Sequence, residues 1–165
     1  MEDSLLYFGF GSNLKCRRLQ INCPSAQFLC KAELKDYKLV FAGSSMFWKG
    51  GTATIRPSPG DRVWGAVWKL DPKDVPSLDM QEGIHLGIYN KMSVTVISDE
   101  GDSKNVITYA RPQEVPVAAP SPQYLQVVLE GAGECGLPQQ YIEELNKIEH
   151  NGYAGNVVLT EDYVL

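Results

Sequence analysis

Residues 62–70 read Arg62-Val63-Trp64-Gly65-Ala66-Val67-Trp68-Lys69-Leu70. Side chains of a strand alternate between two faces, so Trp64, Ala66 and Trp68 fall on one side and Val63 and Val67 on the other. Both sides are apolar, which places this strand at the centre of a sheet or barrel. Upstream, a Gly50-Gly51 turn precedes residues 52–56 (TATIR), and Pro57-Ser58-Pro59-Gly60-Asp61 predicts a turn between that strand and the central one. Residues 27–41 alternate through Phe28, Cys30, Ala32 and Leu34, then Tyr37, Leu39 and Phe41, predicting a long strand broken or bent near Lys35-Asp36. Residues 5–10 (LLYFGF) are a short apolar run ending in Gly11-Ser12-Asn13, after which Leu14, Arg17, Arg18 and Ile21 recur at helical spacing. The expectation is strand, glycine turn, then helix, with Ser12 or Asn13 as N-cap.

Downstream of the central strand, Asp71-Pro72 carries the N-cap and first-turn signature of a helix that runs through Glu82 and stops at Gly83. Residues 89–98 (YNKMSVTVIS) alternate as a strand, Asp99-Glu100-Gly101-Asp102 predicts a hairpin turn, and residues 105–109 (NVITY) return. The Pro-rich stretch 114–122 (EVPVAAPSP) is short enough to be a connection within a domain. Helices are expected over residues 121–131 and 137–148, separated by Gly133, Gly136 and Pro138. Strands fill the first two thirds of the chain and helices gather at the end, which argues an α+β fold around a mixed, partly closed sheet. With 165 residues and no internal repeat, residues 1–165 are read as a single domain, large enough to fold without disulfides or a metal.

Fifteen Lys plus Arg against twenty Asp plus Glu leave a net charge of −5, the wrong sign for a protein that neutralises a nucleic-acid backbone. A small neutral or zwitterionic ligand suits the chain better. No run approaches the length a membrane helix needs, and Met1-Glu2-Asp3-Ser4 is acidic where a signal peptide is basic, so the expected location is cytoplasmic, with no membrane partner. Cys16, Cys23, Cys30 and Cys135 form no Cys-x-x-Cys pair and no zinc-type spacing with His85 or His150; they are read as reduced packing thiols, and no metal set or cofactor motif is found. Neither histidine sits beside a recognisable nucleophile, which argues against Ser–His or Cys–His catalysis.

Two segments carry candidate chemistry. Gly9-Phe10-Gly11-Ser12-Asn13 stands where a strand hands over to a helix: two glycines let the backbone approach a ligand, and N–H groups at a helix start attract anionic oxygens. It is neither a P-loop nor a dinucleotide fingerprint, since the required lysine and third glycine are absent. In Gln81-Glu82-Gly83, a carboxylate lies at the negative end of a helix, flanked by Met80, Ile84, Leu86 and Ile88. Dipole and apolar surroundings both disfavour its charged form, so its pKa should rise towards the range useful for proton transfer. From the residues alone, an ordinary capped turn and a solvated surface glutamate remain open for these two segments. Among the tyrosines, Tyr89 and Tyr124 border Gly or Pro turns, where a side chain can face a pocket.

Taken together, residues 7–14 (YFGFGSNL), 22–26 (NCPSA), 50–55 (GGTATI), 58–68 (SPGDRVWGAVW), 78–83 (LDMQEG), 120–124 (PSPQY) and 136–153 resemble the γ-glutamylcyclotransferase family, in particular its cytosolic enzymes acting on γ-glutamyl amino acids. The resemblance implies a small mixed barrel with peripheral helices, one catalytic glutamate at Glu82, a γ-glutamyl-binding loop of Tyr7, Phe8, Gly9, Phe10, Gly11 and Ser12, and a homodimer. The chain carries Phe10 where the usual pattern is Tyr-Gly-Ser-Asn, so any contact of that phenolic hydroxyl is missing, and the loop over residues 42–48 is short for the family.

The implied reaction is intramolecular: the substrate's α-amine attacks its own γ-amide carbonyl, 5-oxoproline closes and the amino acid departs. Reacting groups within one molecule reach effective concentrations on the order of 10⁵ M, so no enzyme nucleophile is needed. Glu82 would shuttle the proton while N–H groups near Gly11 and Ser12 stabilise the oxyanion. Two further readings stand beside it: γ-glutamylamines or glutathione as substrate, and a non-catalytic small-ligand binding domain on the same scaffold.

Overall fold

The computed structural model describes residues 4–165; the acidic start Met1, Glu2 and Asp3 lies outside the described residues. Five strands, β1 (Leu5–Gly9), β2 (Gln27–Ser45), β3 (Gly50–Leu70), β4 (Asn90–Ser98) and β5 (Ser103–Ala110), form a closed barrel in the order β1-β3-β2-β4-β5. The sheet expected to be partly closed therefore closes fully, through a parallel contact of Tyr7 with Ile107 between β1 and β5. The remaining seams are antiparallel, so the barrel is mixed. β3 runs between β1 and β2, and its residues Val63, Ala66, Val67 and Trp68 are at most 1% exposed, which is the two-sided burial its composition demands.

The Pro-rich segment 57–61 is not the turn its composition suggests. β2 and β3 pair as one long hairpin, from Gln27 with Lys69 to Ser45 with Gly50, with register shifts after Phe28, Lys35 and Ala42. Between the pairs Lys35 with Arg62 and Tyr37 with Pro57, the single residue Asp36 faces four residues of β3, so the segment leaves the ladder as a bulge rather than reversing the chain. Asp36 takes a left-handed conformation (φ 66°), and its carboxylate accepts the Gly60 N–H at 2.9 Å, tying bulge to bend. The break expected near Lys35-Asp36 is this bend.

Four helices lie outside the barrel: α1 (Cys16–Leu19), α2 (Val75–Gln81), α3 (Pro122–Glu134) and α4 (Gln139–Asn146). Ser121 accepts from the Tyr124 N–H and caps α3 as expected, whereas Asp71 accepts from the Lys73 N–H and caps a 3-10 turn over Pro72–Asp74 that leads into α2, whose own N-cap, Asp74, makes no side-chain cap bond. Residues 12–14 form a separate 3-10 turn, and the N-cap of α1 is Lys15, with no side-chain cap bond. Neither Ser12 nor Asn13 caps α1, because the Asn13 side chain is drawn into the interior by other partners. The hairpin of β6 (Val158–Thr160) and β7 (Tyr163–Val164) was not anticipated, since strands of three and two residues carry no readable alternation. Arg17 pins it, stacking 3.9 Å from the Tyr163 ring centroid and donating to the Asp162 carbonyl at 2.9 Å.

Helix α3 braces the glycine turn from behind. A Cβ built on Gly131 would stand 2.5 Å from both the Leu14 carbonyl carbon and the Lys15 nitrogen, backbone atoms that cannot rotate away. Alanine is favoured over glycine in a helix by about 1 kcal/mol, but overpacking against backbone costs roughly 1–3 kcal/mol, and here the steric term wins. We expect Gly131→Ala to lower the thermal midpoint of unfolding; a raised midpoint would show that α3 does not buttress this turn.

Candidate active site

At one end of the barrel a cavity of about 720 Å³ opens between the 3-10 turn, the start of β3, the end of α2 and the loop following β2. This volume lies within the range of small-molecule sites. Phe10, Gly11 and Ser12 line it as β1 gives way to the turn, together with Tyr7 from the strand itself. Phe8 and Gly9 do not. Phe8 is fully buried on the core side, and Gly9 packs so closely that a Cβ there would meet the Asn13 carbonyl at 3.0 Å. These two residues shape the turn rather than contact the cavity. Gly11 faces Ala53 and Tyr124, each 2.9 Å from where its Cβ would be, so only glycine fits between them.

Glu82 is half-buried at the C-terminal end of α2, and Gly83 follows in the left-handed conformation (φ 68°), as the helix-stop signature requires. Its carboxylate accepts from the Asn13 amide at 3.2 Å, which brings the acid beside the glycine turn 69 residues earlier in the chain. The same amide nitrogen donates to the Tyr7 hydroxyl at 2.9 Å, while Asn13 Oδ1 accepts from Gln81 at 3.1 Å and Gln81 Oε1 from Asn22 at 2.8 Å. Asn13 itself is 3% exposed. Burial raises the Glu82 pKa to about 7, partly opposed by the nearby Arg18 cation and the Asn13 hydrogen bond.

The rise has a different source from the one read in the sequence. Met80 and Leu86 point outward, 66% and 69% exposed, and of the four apolar neighbours only Ile88 lines the cavity. The burial comes from the cavity wall as a whole, to which Tyr7, Asn13 and the glycine turn, remote in sequence, also contribute surface.

Tyr89 and Tyr124 both reach the cavity. The Tyr89 hydroxyl donates to the Ala53 carbonyl at 2.8 Å and lies 2.7 Å from Thr52 Oγ1, while the Tyr124 hydroxyl accepts the Ala53 N–H at 2.9 Å. The two phenols thus fix β3 where it passes the glycine turn, and burial pushes both pKa values up, Tyr89 well above and Tyr124 beyond the ordinary phenol range. Phe10 turns into the wall, with its ring 6.2 Å from that of Phe8.

Sequence reasoning missed Asn13 as the central connector, and Arg18 and Arg111 as cavity residues. Arg18 is 6% exposed, with its guanidinium 5.3 Å from the Trp48 ring centroid. Its signal was present, since an arginine at the helical spacing of Leu14 and Ile21 lies on an otherwise inward face. Arg111 has no comparable signal. Among the described residues, no group of three or more His, Cys, Asp or Glu is placed to hold a metal.

The site places one carboxylate with a near-neutral pKa in the wall of a closed barrel, beside a glycine turn. Residues 62–145 match the model of the AIG2-like family. The chain is 46% identical over 160 residues to the human protein named gamma-glutamylcyclotransferase, covering 94% of this chain and 85% of that protein, and 45% identical to the bovine protein of the same name, covering 94% and 84%. A solved structure named gamma-glutamyl cyclotransferase superposes with a TM-score of 0.92 at 44% identity, covering 94% of each chain. The chain belongs to the γ-glutamylcyclotransferase family.

A carboxyl whose pKa is raised by folding makes its full stabilising contribution below its unfolded pKa, near 4.5, and loses it as the pH rises through about 7. Glutamine carries no such penalty. We therefore expect Glu82→Gln to gain stability relative to the parent on going from pH 5 to pH 8, by on the order of 1–3 kcal/mol, measured by urea unfolding at both pH values. An unchanged difference would mean that Glu82 titrates as a surface group.

Proposed function

We propose that the protein is a γ-glutamylcyclotransferase that converts a γ-glutamyl amino acid to 5-oxoproline and the free amino acid, with Glu82 as proton carrier. The observation that carries this reading is the position of Glu82 in the cavity, hydrogen-bonded to Asn13 at 3.2 Å and poised near neutrality. As carboxylate, Glu82 accepts a proton from the substrate's α-ammonium. The freed amine attacks the γ-carbonyl, and backbone N–H groups near Gly11 and Ser12 stabilise the tetrahedral oxygen; as the γ-carbon–nitrogen bond breaks, Glu82 returns the first proton to the departing nitrogen, and the second, shed by the ring nitrogen, follows through the same carboxylate, leaving a lactam N–H and the ammonium of the free amino acid. In the turn, the Leu14 N–H binds the Gly11 carbonyl at 3.0 Å, and the Ser12 N–H faces the Tyr124 hydroxyl, a contact the oxyanion would replace. One such donor is worth about 3 kcal/mol of barrier.

Tyr7, Phe10, Tyr89 and Tyr124 serve in this reading as the rigid walls that hold the substrate folded for cyclisation, since aromatic side chains lose little freedom on binding. The near-full-length likeness to relatives named gamma-glutamylcyclotransferase supports the reaction class, an intramolecular amide cleavage of lyase or acyltransferase type. A cytoplasmic setting, a homodimer and a part in glutathione metabolism belong to the same proposal; the four free thiols suit a reducing compartment.

Glu82→Gln should fold and form 5-oxoproline from γ-glutamyl-alanine at a rate reduced by roughly 10²–10⁴. In the parent enzyme, log kcat/KM should rise with unit slope up to an inflection near pH 7, because the carboxylate is the active form. Product formation by the variant at the parental rate, followed by mass spectrometry, would remove Glu82 from the mechanism.

A further inference from the structure

Among the described residues, the side chains lining the cavity include one carboxylate, Glu82, and two guanidinium groups, Arg18 and Arg111, with no lysine, aspartate or histidine. Neither arginine has an ion-pair partner among the described residues, and the Nε of each is buried without a hydrogen-bond partner. One buried and one half-buried guanidinium against a single carboxylate leave the cavity with an excess of positive charge, which two anionic groups of a ligand would balance.

The two arginines occupy different parts of the wall. Arg18 belongs to α1, packs against Trp48 and Phe47, and is close enough to Glu82 to oppose the rise in its pKa. Arg111 follows β5 and lies against the start of β3 and the end of β2. Gly11 contacts Ala53 and Tyr124, the next residue Thr52 accepts from Arg111 at 3.1 Å, and the Ala42 carbonyl accepts from the same nitrogen at 3.1 Å. The guanidinium lies 5.6 Å from the Tyr89 ring centroid and fills the space where a Gly43 side chain would be, under the short loop that follows β2. Gly43 has a φ of 75° and donates to the Pro116 carbonyl at 2.9 Å, so the pocket around this guanidinium is built into the backbone.

We propose that Arg111 is a specificity-determining residue that receives the carboxylate of the leaving amino acid. The inference rests on the cyclotransferase reading above. A γ-glutamyl amino acid carries one ammonium and two carboxylates, which match one carboxylate and two guanidinium groups. The α-ammonium and α-carboxylate share a carbon, so an ammonium at Glu82 puts the α-carboxylate with Arg18, the cation nearest that acid. The second carboxylate sits beyond the scissile amide, away from the α-carbon, and Arg111 is the guanidinium of the wall left to meet it. A γ-glutamylamine leaves Arg111 without an anionic partner, and a partly desolvated cation left without one weakens transition-state binding.

The test compares γ-glutamyl-L-alanine with γ-glutamyl-ethylamine, which differ only by the leaving group's carboxylate. The parent enzyme should favour the alanine compound in kcat/KM by on the order of 10–100-fold. Arg111→Gln should bring that ratio close to one, with most of the loss falling on γ-glutamyl-alanine, and Arg111→Lys should restore part of it. A parent that treats the two compounds alike overturns the proposal, as does an Arg111→Gln variant that loses both activities equally or keeps the parental ratio. If the parent makes 5-oxoproline from neither compound, the cyclotransferase reading itself fails and the role of Arg111 with it.

Discussion

The active-site end of the barrel depends on the side chain of Asn13. Its amide nitrogen donates both to Tyr7 on β1 and to Glu82 at the end of α2, and its amide oxygen accepts from Gln81. With the residue almost wholly buried, these bonds are made away from competing water, where leaving any partner unsatisfied costs about 1–3 kcal/mol. The glycine turn and the acid come from opposite ends of the first half of the chain, and this one side chain sets their separation. Every other feature of the site is arranged around that distance: α3 presses the turn inward from outside, and Tyr89 and Tyr124 hold β3 against it from within.

The electrostatics follow from the same constraint. A carboxylate drawn off a helix end into a barrel mouth loses hydration, which raises its pKa, while the Asn13 donor and the Arg18 cation limit the rise. The balance leaves Glu82 able to exchange a proton near neutrality. Arg18 limits the rise without cancelling it, because the loss of hydration is the larger effect on Glu82, and burial lowers the pKa of Arg18 as well.

Much of the fold was legible because period-two alternation survives in β2, β4 and β5, and because β3 announces its two-sided burial in residues 62–70. Segment 57–61 misled for a physical reason: its Pro and Gly residues fit a turn locally, yet the strand on either side is held by pairing with β2, and that long-range ladder outweighs local preference. The glycine turn and Glu82 were legible as separate pieces, through a helix-stop signature and a strand-to-helix glycine pair. Their meeting was not, since no local pattern records that Asn13 spends its amide on residues 7, 81 and 82 rather than on capping α1. Arg111 was hidden for the same reason, its neighbours Ala42, Gly43 and Thr52 lying on strands far from it in sequence.

The most direct measurement is the ionisation of Glu82 itself, followed by carbon-13 NMR of the side-chain carboxyl in protein labelled at glutamate, with Glu82→Gln assigning the resonance. A midpoint near pH 7 is the result expected of an acid held in the cavity by Asn13. A midpoint near 4.3, that of a freely hydrated glutamate, would contradict the account.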